Sequence, residues 1–371
     1  MNIKGLLFGS AAALVAVSGA RAADAVVMPE PEPMEYVRVC DVYGAGFYYI
    51  PGTETCLQIS GEVWYEMGAT SDNGLTDTPN YYGYAPDGWN KMTHARVNFD
   101  VRSETEWGTL RGYIRLQSEW GLPGDGAVEA DQAWLALGGL RMGYTESAWV
   151  ESFKGGVAAY GSHSWGGLYY GDQQRHQISY SFGSEEAFAA TLSLEDDALA
   201  GDGYVPDVVA VLSYNQAWGG VWAKFGYDED RTIVGTTPVG EIGDSGFGAQ
   251  VGLQYNIGAD GSSLRLLAFY ADSDNAYSTG SALGVAPEWS ALASYYQQFT
   301  PNFGASVGFQ YFSNLYAAGS NLSTDVDAYA VELSTVWTPV ENFEVRAEGV
   351  YDKVDASEGT VSGFLRFTRY F

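Results

Sequence analysis

The sequence predicts an all-β fold, a closed antiparallel barrel of about sixteen strands that crosses a bacterial outer membrane. Three observations carry the prediction. The chain opens with an export leader, a two-residue hydrophobic period recurs from Leu57 to the C terminus, and the connections alternate strictly between short and long.

The leader starts with Lys4, runs through an apolar stretch from Leu6 to Val17 and ends on Ala20-Arg21-Ala22, a small-x-small cleavage pattern. Residues 1–22 therefore read as a signal peptide. The apolar run is too short to span a bilayer as a helix, and no later stretch reaches the roughly 20 uninterrupted apolar residues that a spanning helix needs. A membrane protein of this composition must cross with strands.

The 371 residues contain 18 basic and 46 acidic side chains, a formal charge of −28. Two of the basic residues, Lys4 and Arg21, leave with the leader, so the mature chain carries 16 against 46, or −30. That excess excludes nucleic acid as a natural partner. An acidic disordered chain is excluded as well, because 27 Tyr, 17 Phe and 11 Trp are far too many aromatics for one. The one linker-like stretch is Met28-Pro29-Glu30-Pro31-Glu32-Pro33, which places an N-terminal extension at 23–56 and the barrel at 57–371. Only two cysteines are present, Cys40 and Cys56, and in an exported chain they predict one disulfide around Tyr43-Gly44-Ala45-Gly46.

The strands follow in order. Leu57, Ile59, Gly61, Val63 and Tyr65 alternate with Gln58, Ser60, Glu62, Trp64 and Glu66. Ala95, Val97, Phe99 and Val101 alternate with His94, Arg96, Asn98, Asp100 and Arg102, and Leu110, Gly112, Ile114 and Leu116 with Arg111, Tyr113, Arg115 and Gln117. Later, Phe247 to Ile257 and Phe343 to Tyr351 keep the same phase, and Val361, Gly363, Leu365, Phe367, Arg369 and Phe371 end the chain on an apolar face that needs lipid. A soluble sandwich also alternates, but its loops have no reason to differ at its two ends. Here short links at 107–108, 138–139, 183–186, 215–220, 258–262, 300–302 and 338–342 separate long polar stretches at about 67–90, 120–130, 145–175, 196–206, 228–245, 271–287, 313–326 and 352–359. Pairing strands across these connections gives about sixteen, a number that leaves an aqueous channel. Tyr65, Trp120, Tyr144, Tyr214, Trp289, Tyr311 and Trp337 fall where interface girdles are expected.

In a pore, function lies in width and electrostatics. Arg96, Arg102, Arg111, Arg115, Arg141, Arg346 and Arg366 all have inward phase, on strands that form one arc once the last strand closes on the first. The plainer reading of any one of them is pairing with a neighbour such as Asp100 or Glu119. The third long loop, about Thr145 to Gln174, carries Trp149, Phe153, Tyr160, Trp165, Tyr169 and Tyr170, too apolar a set for a surface loop, so it is expected to fold into the lumen. Its acids Glu146, Glu151 and Asp172 would then face the arginine arc across a constriction, and cation preference would follow from the negative charge of the whole molecule. The three histidines, His94, His163 and His176, are accompanied by no nucleophile elbow, paired carboxylates or zinc-ligand spacing, so neither enzyme activity nor a cofactor or metal is expected.

The segment from Glu35 to Leu57, with both cysteines and Tyr43-Gly44-Ala45-Gly46-Phe47-Tyr48-Tyr49, closely resembles the N-terminal signature of the alphaproteobacterial general porins, the group that includes the Brucella and rhizobial porins. The leader from Met1 to Ala22, the hairpin Gly138-Gly139-Leu140-Arg141-Met142-Gly143-Tyr144-Thr145-Glu146-Ser147 and the terminal Phe371 resemble that family too. The resemblance implies a homotrimeric sixteen-stranded porin for small hydrophilic solutes, seated in outer-membrane lipid and lipopolysaccharide, with Phe371 as an assembly signal read by the barrel-assembly machinery. A substrate-selective channel, using Tyr113, Trp134 and the aromatic loop for sugars, is the second reading, and a structural or adhesive barrel the third.

Overall fold

The computed structural model describes residues 38–71, 81–85, 88–121, 126–151, 161–196, 204–229, 245–355 and 357–371. The expected signal peptide, the start of the extension, and Phe153, Lys154 and Tyr160 of the third loop lie outside these residues. Val39–Phe371 is one compact unit.

Its extension makes a 3-10 turn, Asp41–Tyr43, and a two-residue strand β1 (Tyr48–Tyr49) that pairs with the first wall strand, β2 (Cys56–Thr70). The wall continues through β3 (Asn90–Thr105), β4 (Gly108–Trp120), β5 (Glu129–Leu137), β6 (Leu140–Glu146), β7 (Gln174–Gly183), β8 (Phe188–Asp196) and β9 (Asp207–Gln216). It is completed by β10 (Gly219–Asp228), β11 (Gly246–Ile257), β12 (Ser262–Ala271), β13 (Pro287–Thr300), β14 (Phe303–Leu315), β15 (Ala328–Val340), β16 (Phe343–Val354) and β17 (Thr360–Tyr370). Each strand pairs antiparallel with its sequence neighbour, and β17 returns to β2, so β2 to β17 form a closed ring of sixteen strands. Closure leaves no backbone edge unpaired in a medium without water.

The seven short connections fall at one end of the ring and the long loops at the other, as the alternation predicts. Between β5 and β6 only Gly138 and Gly139 turn the chain, with Gly138 in the left-handed region at φ 59° that a side chain would resist. The predicted disulfide is present: Cys40 and Cys56 are bridged with Cα atoms 6.0 Å apart and are buried against Phe47, tying the extension to the foot of β2.

Outward side chains such as Ile59, Val63, Ile114, Ile178, Leu192, Leu212, Val251 and Leu333 are exposed, as residues that face lipid should be, and Tyr65, Trp120, Tyr214, Trp289, Tyr311 and Trp337 are exposed among them. The inward face divides into two unlike halves. From β9 to β16 it has an apolar cluster, with Val209, Val211, Trp222, Leu267, Phe269, Leu292, Phe312 and Val350 buried together with Trp149 and Leu168 of the third loop, set among buried polar groups such as Lys224, Gln310 and Glu332. The other half carries most of the arginines.

Candidate pore lining and constriction

The seven arginines lie on β3, β4, β6, β16 and β17, and the pairing of β17 with β2 and β2 with β3 makes those strands neighbours. Their inward phase follows from the period of two, because each sits one residue from a lipid-facing apolar side chain. Carboxylates on the same wall meet them. Asp100 receives both Arg102 (2.6 Å) and Arg111 (2.8 Å), each through a two-point contact. Arg366 bonds Glu66 at 2.5 Å, Arg96 reaches Glu62 at 3.4 Å, Arg115 reaches Asp131 at 3.3 Å, and Arg346 lies between Glu344 (2.8 Å) and Glu348 (3.2 Å). Arg141 donates to Gln177 at 3.1 Å. Two-point guanidinium–carboxylate contacts fix orientation as well as charge, so the arc is a rigid, polar and largely neutralised wall.

The described parts of the third loop, residues 147–151 and 161–173, fold inward and are fastened strand by strand to the wall. At its root the Lys224 ammonium of β10 donates to the carbonyls of Trp149 (2.8 Å) and Val150 (3.0 Å), and Glu195 of β8 accepts from the Ser147 hydroxyl (2.5 Å) and the Ala148 N–H (2.9 Å). Further along, Arg265 of β12 donates to the carbonyls of Gly161 (2.7 Å) and Ser162 (3.0 Å). The His163 ring is held between Ser294 Oγ (2.7 Å) and Ser263 Oγ (2.8 Å). Burial, with the Arg265 charge nearby, pushes this imidazole down to about 3, so at neutral pH it is uncharged and serves one serine as donor and the other as acceptor. Ser164 donates to Glu332 (2.5 Å), the Trp165 N–H to Glu348 (2.6 Å), and the Tyr169 N–H to Gln310 (3.0 Å). The loop therefore covers the β9 to β16 side of the wall and reaches the arginine side at Trp165, which lies on Arg366, while Arg102, Arg111 and Arg115 border open space.

Two chambers remain. One of about 660 Å³ lies toward the short turns, bordered by Arg102, Arg111, Arg141, Trp134 and Glu151; the other, of about 980 Å³, lies toward the long loops, bordered by Trp64, Arg96, Trp165, Asp172 and Arg366. Arg115 borders both, and also a cleft of about 250 Å³ beside Glu62 and Phe371.

The three acids expected on the loop are placed differently from one another. Glu146 is not in the loop: its backbone pairs with Gln174, so it ends β6, and its carboxylate accepts from Gln132 (3.1 Å) and Gln174 (3.4 Å) rather than from an arginine. Glu151 borders the chamber that contains Arg141, and Asp172 the chamber that contains Arg366. Burial and the neighbouring Asp131 push the Asp172 carboxyl up from its ordinary value. The acids that meet the arginines are those of the wall.

Two other loops enter the lumen that the sequence reading left outside. In the first, the Tyr81 hydroxyl reaches the Gly166 carbonyl (2.6 Å), Tyr82 bonds Glu348 (3.3 Å) and Tyr84 bonds Glu66 (2.5 Å). In the loop after β12, fully buried Tyr277 bonds Asp207 (2.9 Å) and packs on Trp149. Inward-phase glycines make the room: a Cβ on Gly226 or Gly248 would collide with Tyr277, and one on Gly68 with Tyr84. The signal was available in Tyr81-Tyr82-Gly83-Tyr84, as aromatic a stretch as the third loop.

Comparison with known proteins gives a consistent result. The family model described as "Porin subfamily" matches residues 24–364. The chain is similar to "Porin Omp2b" of Brucella suis biovar 1 (strain 1330), 40% identical over 258 residues, which are 62% of this chain and 66% of that protein. The match thus spans just under two thirds of that relative's length. Among solved structures it is similar to the outer membrane channel DcaP of Acinetobacter baumannii, with a TM-score of 0.64 and 14% identity over 87% of this chain and 99% of that one. It is also similar to in-vitro folded OmpT of Vibrio cholerae in its trimer form, with a TM-score of 0.57 and 12% identity over 86% of this chain and 100% of that one. At these identities the solved structures speak for the fold alone.

Proposed function

The chain belongs to the porin subfamily and is a multi-strand β-barrel of the outer membrane, and from that premise we propose that it forms a water-filled channel for passive diffusion of small hydrophilic solutes and ions, weakly selective for cations. The observation that carries the reading is the ion-paired wall that includes Arg102, Arg111, Arg115 and Arg96, beside which the two chambers open. Paired charges hold water in the passage without binding one ion tightly, which conduction requires. Cation preference rests on the formal charge of −28. The outward apolar belt would sit in outer-membrane lipid and lipopolysaccharide, and the trimer form of OmpT supports a homotrimer. Insertion would use the barrel-assembly machinery, with Phe371 as its signal.

In a planar bilayer with a salt gradient, the purified protein is expected to conduct in steps, with a reversal potential on the cation side that shrinks as salt rises and screening grows. Asp100→Asn leaves Arg102 and Arg111 without their shared carboxylate and should move the reversal potential toward anions. Folded protein that opens no channels would sink the proposal.

A further inference from the structure

The chamber toward the long loops contains a stack that ion conduction does not require. The Arg366 guanidinium lies 4.2 Å from the ring centre of Trp64 and 3.8 Å from that of Trp165, so it is layered between two indoles, with Phe364 4.6 Å away at the side. Behind Trp64 the His94 ring continues the column, 4.9 Å away and only 5° from parallel. Three members of the column are buried: His94, Trp64 and Arg366. The fourth is not. Trp165 is 55% exposed, although it lies inside the barrel on a loop where Trp149 and Leu168, among the described residues, are buried.

A half-wet indole at the end of a rigid column forgoes burial that Trp149 and Leu168 of the same loop obtain. Its backbone is also fixed: the Trp165 N–H donates to Glu348, and the preceding Ser164 is tied to Glu332. The column holds one face of the indole against Arg366, and the remainder of the ring borders the chamber. The groups around it are polar but charge-compensated, with Arg366 on Glu66, Arg96 on Glu62 and the Tyr82 and Tyr84 hydroxyls already donating to carboxylates. Such a surface attracts neither a net anion nor a net cation. It offers spare carboxylate lone pairs and guanidinium N–H groups, spaced around an aromatic face, to a ligand that carries hydroxyls above and below an apolar ring surface.

We propose that Trp165 is the stacking platform of a weak pyranose-binding subsite, so that neutral sugars are retained briefly as they pass. The inference rests on the chain being a channel. It deepens that reading by naming a solute class and a residue that recognises it. Weak retention suits a pore, where a solute must leave as readily as it enters.

The test is current block in a planar bilayer with maltotriose as the probe, compared with a linear polyol and a polyethylene glycol of similar size, and with benzoate as a planar anion. Maltotriose is expected to reduce the current saturably, while the polyol and the polymer act only in proportion to viscosity. Trp165→Ala should raise the half-blocking concentration about tenfold, with Trp165→Phe between the two, because stacking is weakened rather than abolished. Trp89→Ala, which removes an exposed indole outside this chamber, should change nothing. Equal block by the size-matched polyol, an unchanged half-block in Trp165→Ala, or block by benzoate in preference to maltotriose each overturns the assignment. An absence of any conductance overturns the channel itself, so the two failures are distinguishable.

Discussion

Replacing Arg265 with methionine is expected to raise the single-channel conductance and the size limit for neutral polymers, because this side chain pins the middle of the third loop. Its Nη1 donates to the carbonyls of Gly161 and Ser162, while Nε and Nη2 clasp Gln254 Oε1 at 3.1 and 2.6 Å. Methionine keeps much of the volume but strips two loop carbonyls of a charged donor. Each buried carbonyl left unmatched costs about 1–3 kcal/mol, so the segment around 161–166 loses on the order of 2–6 kcal/mol of docking energy. The loop should not leave the lumen altogether, since Trp149 and Leu168 remain buried in the apolar half of the wall, and an aromatic burying on the order of 150–250 Å² retains several kcal/mol. Local loosening is therefore expected, seen as larger and noisier channels. Lys224→Met should act likewise at the root, where Lys224 holds the carbonyls of Trp149 and Val150. Parental conductance and polymer exclusion in both variants would show that the loop does not set the width of the passage.

Much of this arrangement was legible because a lipid-facing strand must obey a strict period. Leu57 to Val63 and Phe343 to Gly349 alternate strictly, and the ring, its closure and the end at which the long loops lie follow from that period. The inward phase of all seven arginines is legible for the same reason. Their partners were only partly so: Asp100 meets Arg102 and Arg111 on the same and the next strand, but Glu119 bonds His94 instead, and Glu66 meets Arg366 across the seam that joins the last strand to the first, 300 residues away. The apolar half of the lumen was missed for a different reason. Val208-Val209-Ala210-Val211-Leu212 and Leu264 to Tyr270, interrupted only by Arg265, read as runs rather than alternations, which means apolar contact on both faces. In a barrel, the inner contact has to be a loop. Phe364 breaks the alternation of the terminal strand in the same way, and it lies under Tyr82 and Trp165.

At the C terminus, deleting Phe371 or substituting Gly61→Leu is expected to lower the yield of closed barrel more than any change in the lumen. Phe371 continues the seam beyond β17: its N–H donates to the Gly61 carbonyl (3.0 Å) and its carbonyl accepts from the Gly61 N–H (2.9 Å). Its ring packs over Gly61, where a Cβ would collide with the Arg96 carbonyl and meet the ring at 2.8 Å. Deletion leaves the Gly61 N–H and carbonyl unpaired at the foot of the seam, and each such group costs several kcal/mol where water is excluded. Gly61→Leu leaves Phe371 in place but crowds both its ring and the Arg96 carbonyl, so it tests the close approach at the seam rather than the loss of the Phe371 hydrogen bonds. The seam also joins strands at opposite ends of the chain, and its loop-closure entropy has to be recovered from contacts such as these. Refolding into lipid vesicles should therefore fall for both variants, while Phe371→Tyr, which preserves ring and backbone, refolds like the parent. Insertion in cells separates the two roles of the residue. A variant that refolds normally in vesicles but fails to insert in cells would assign Phe371 to recognition by the assembly machinery alone, and normal behaviour of the deletion in both settings would remove it from closure and recognition alike.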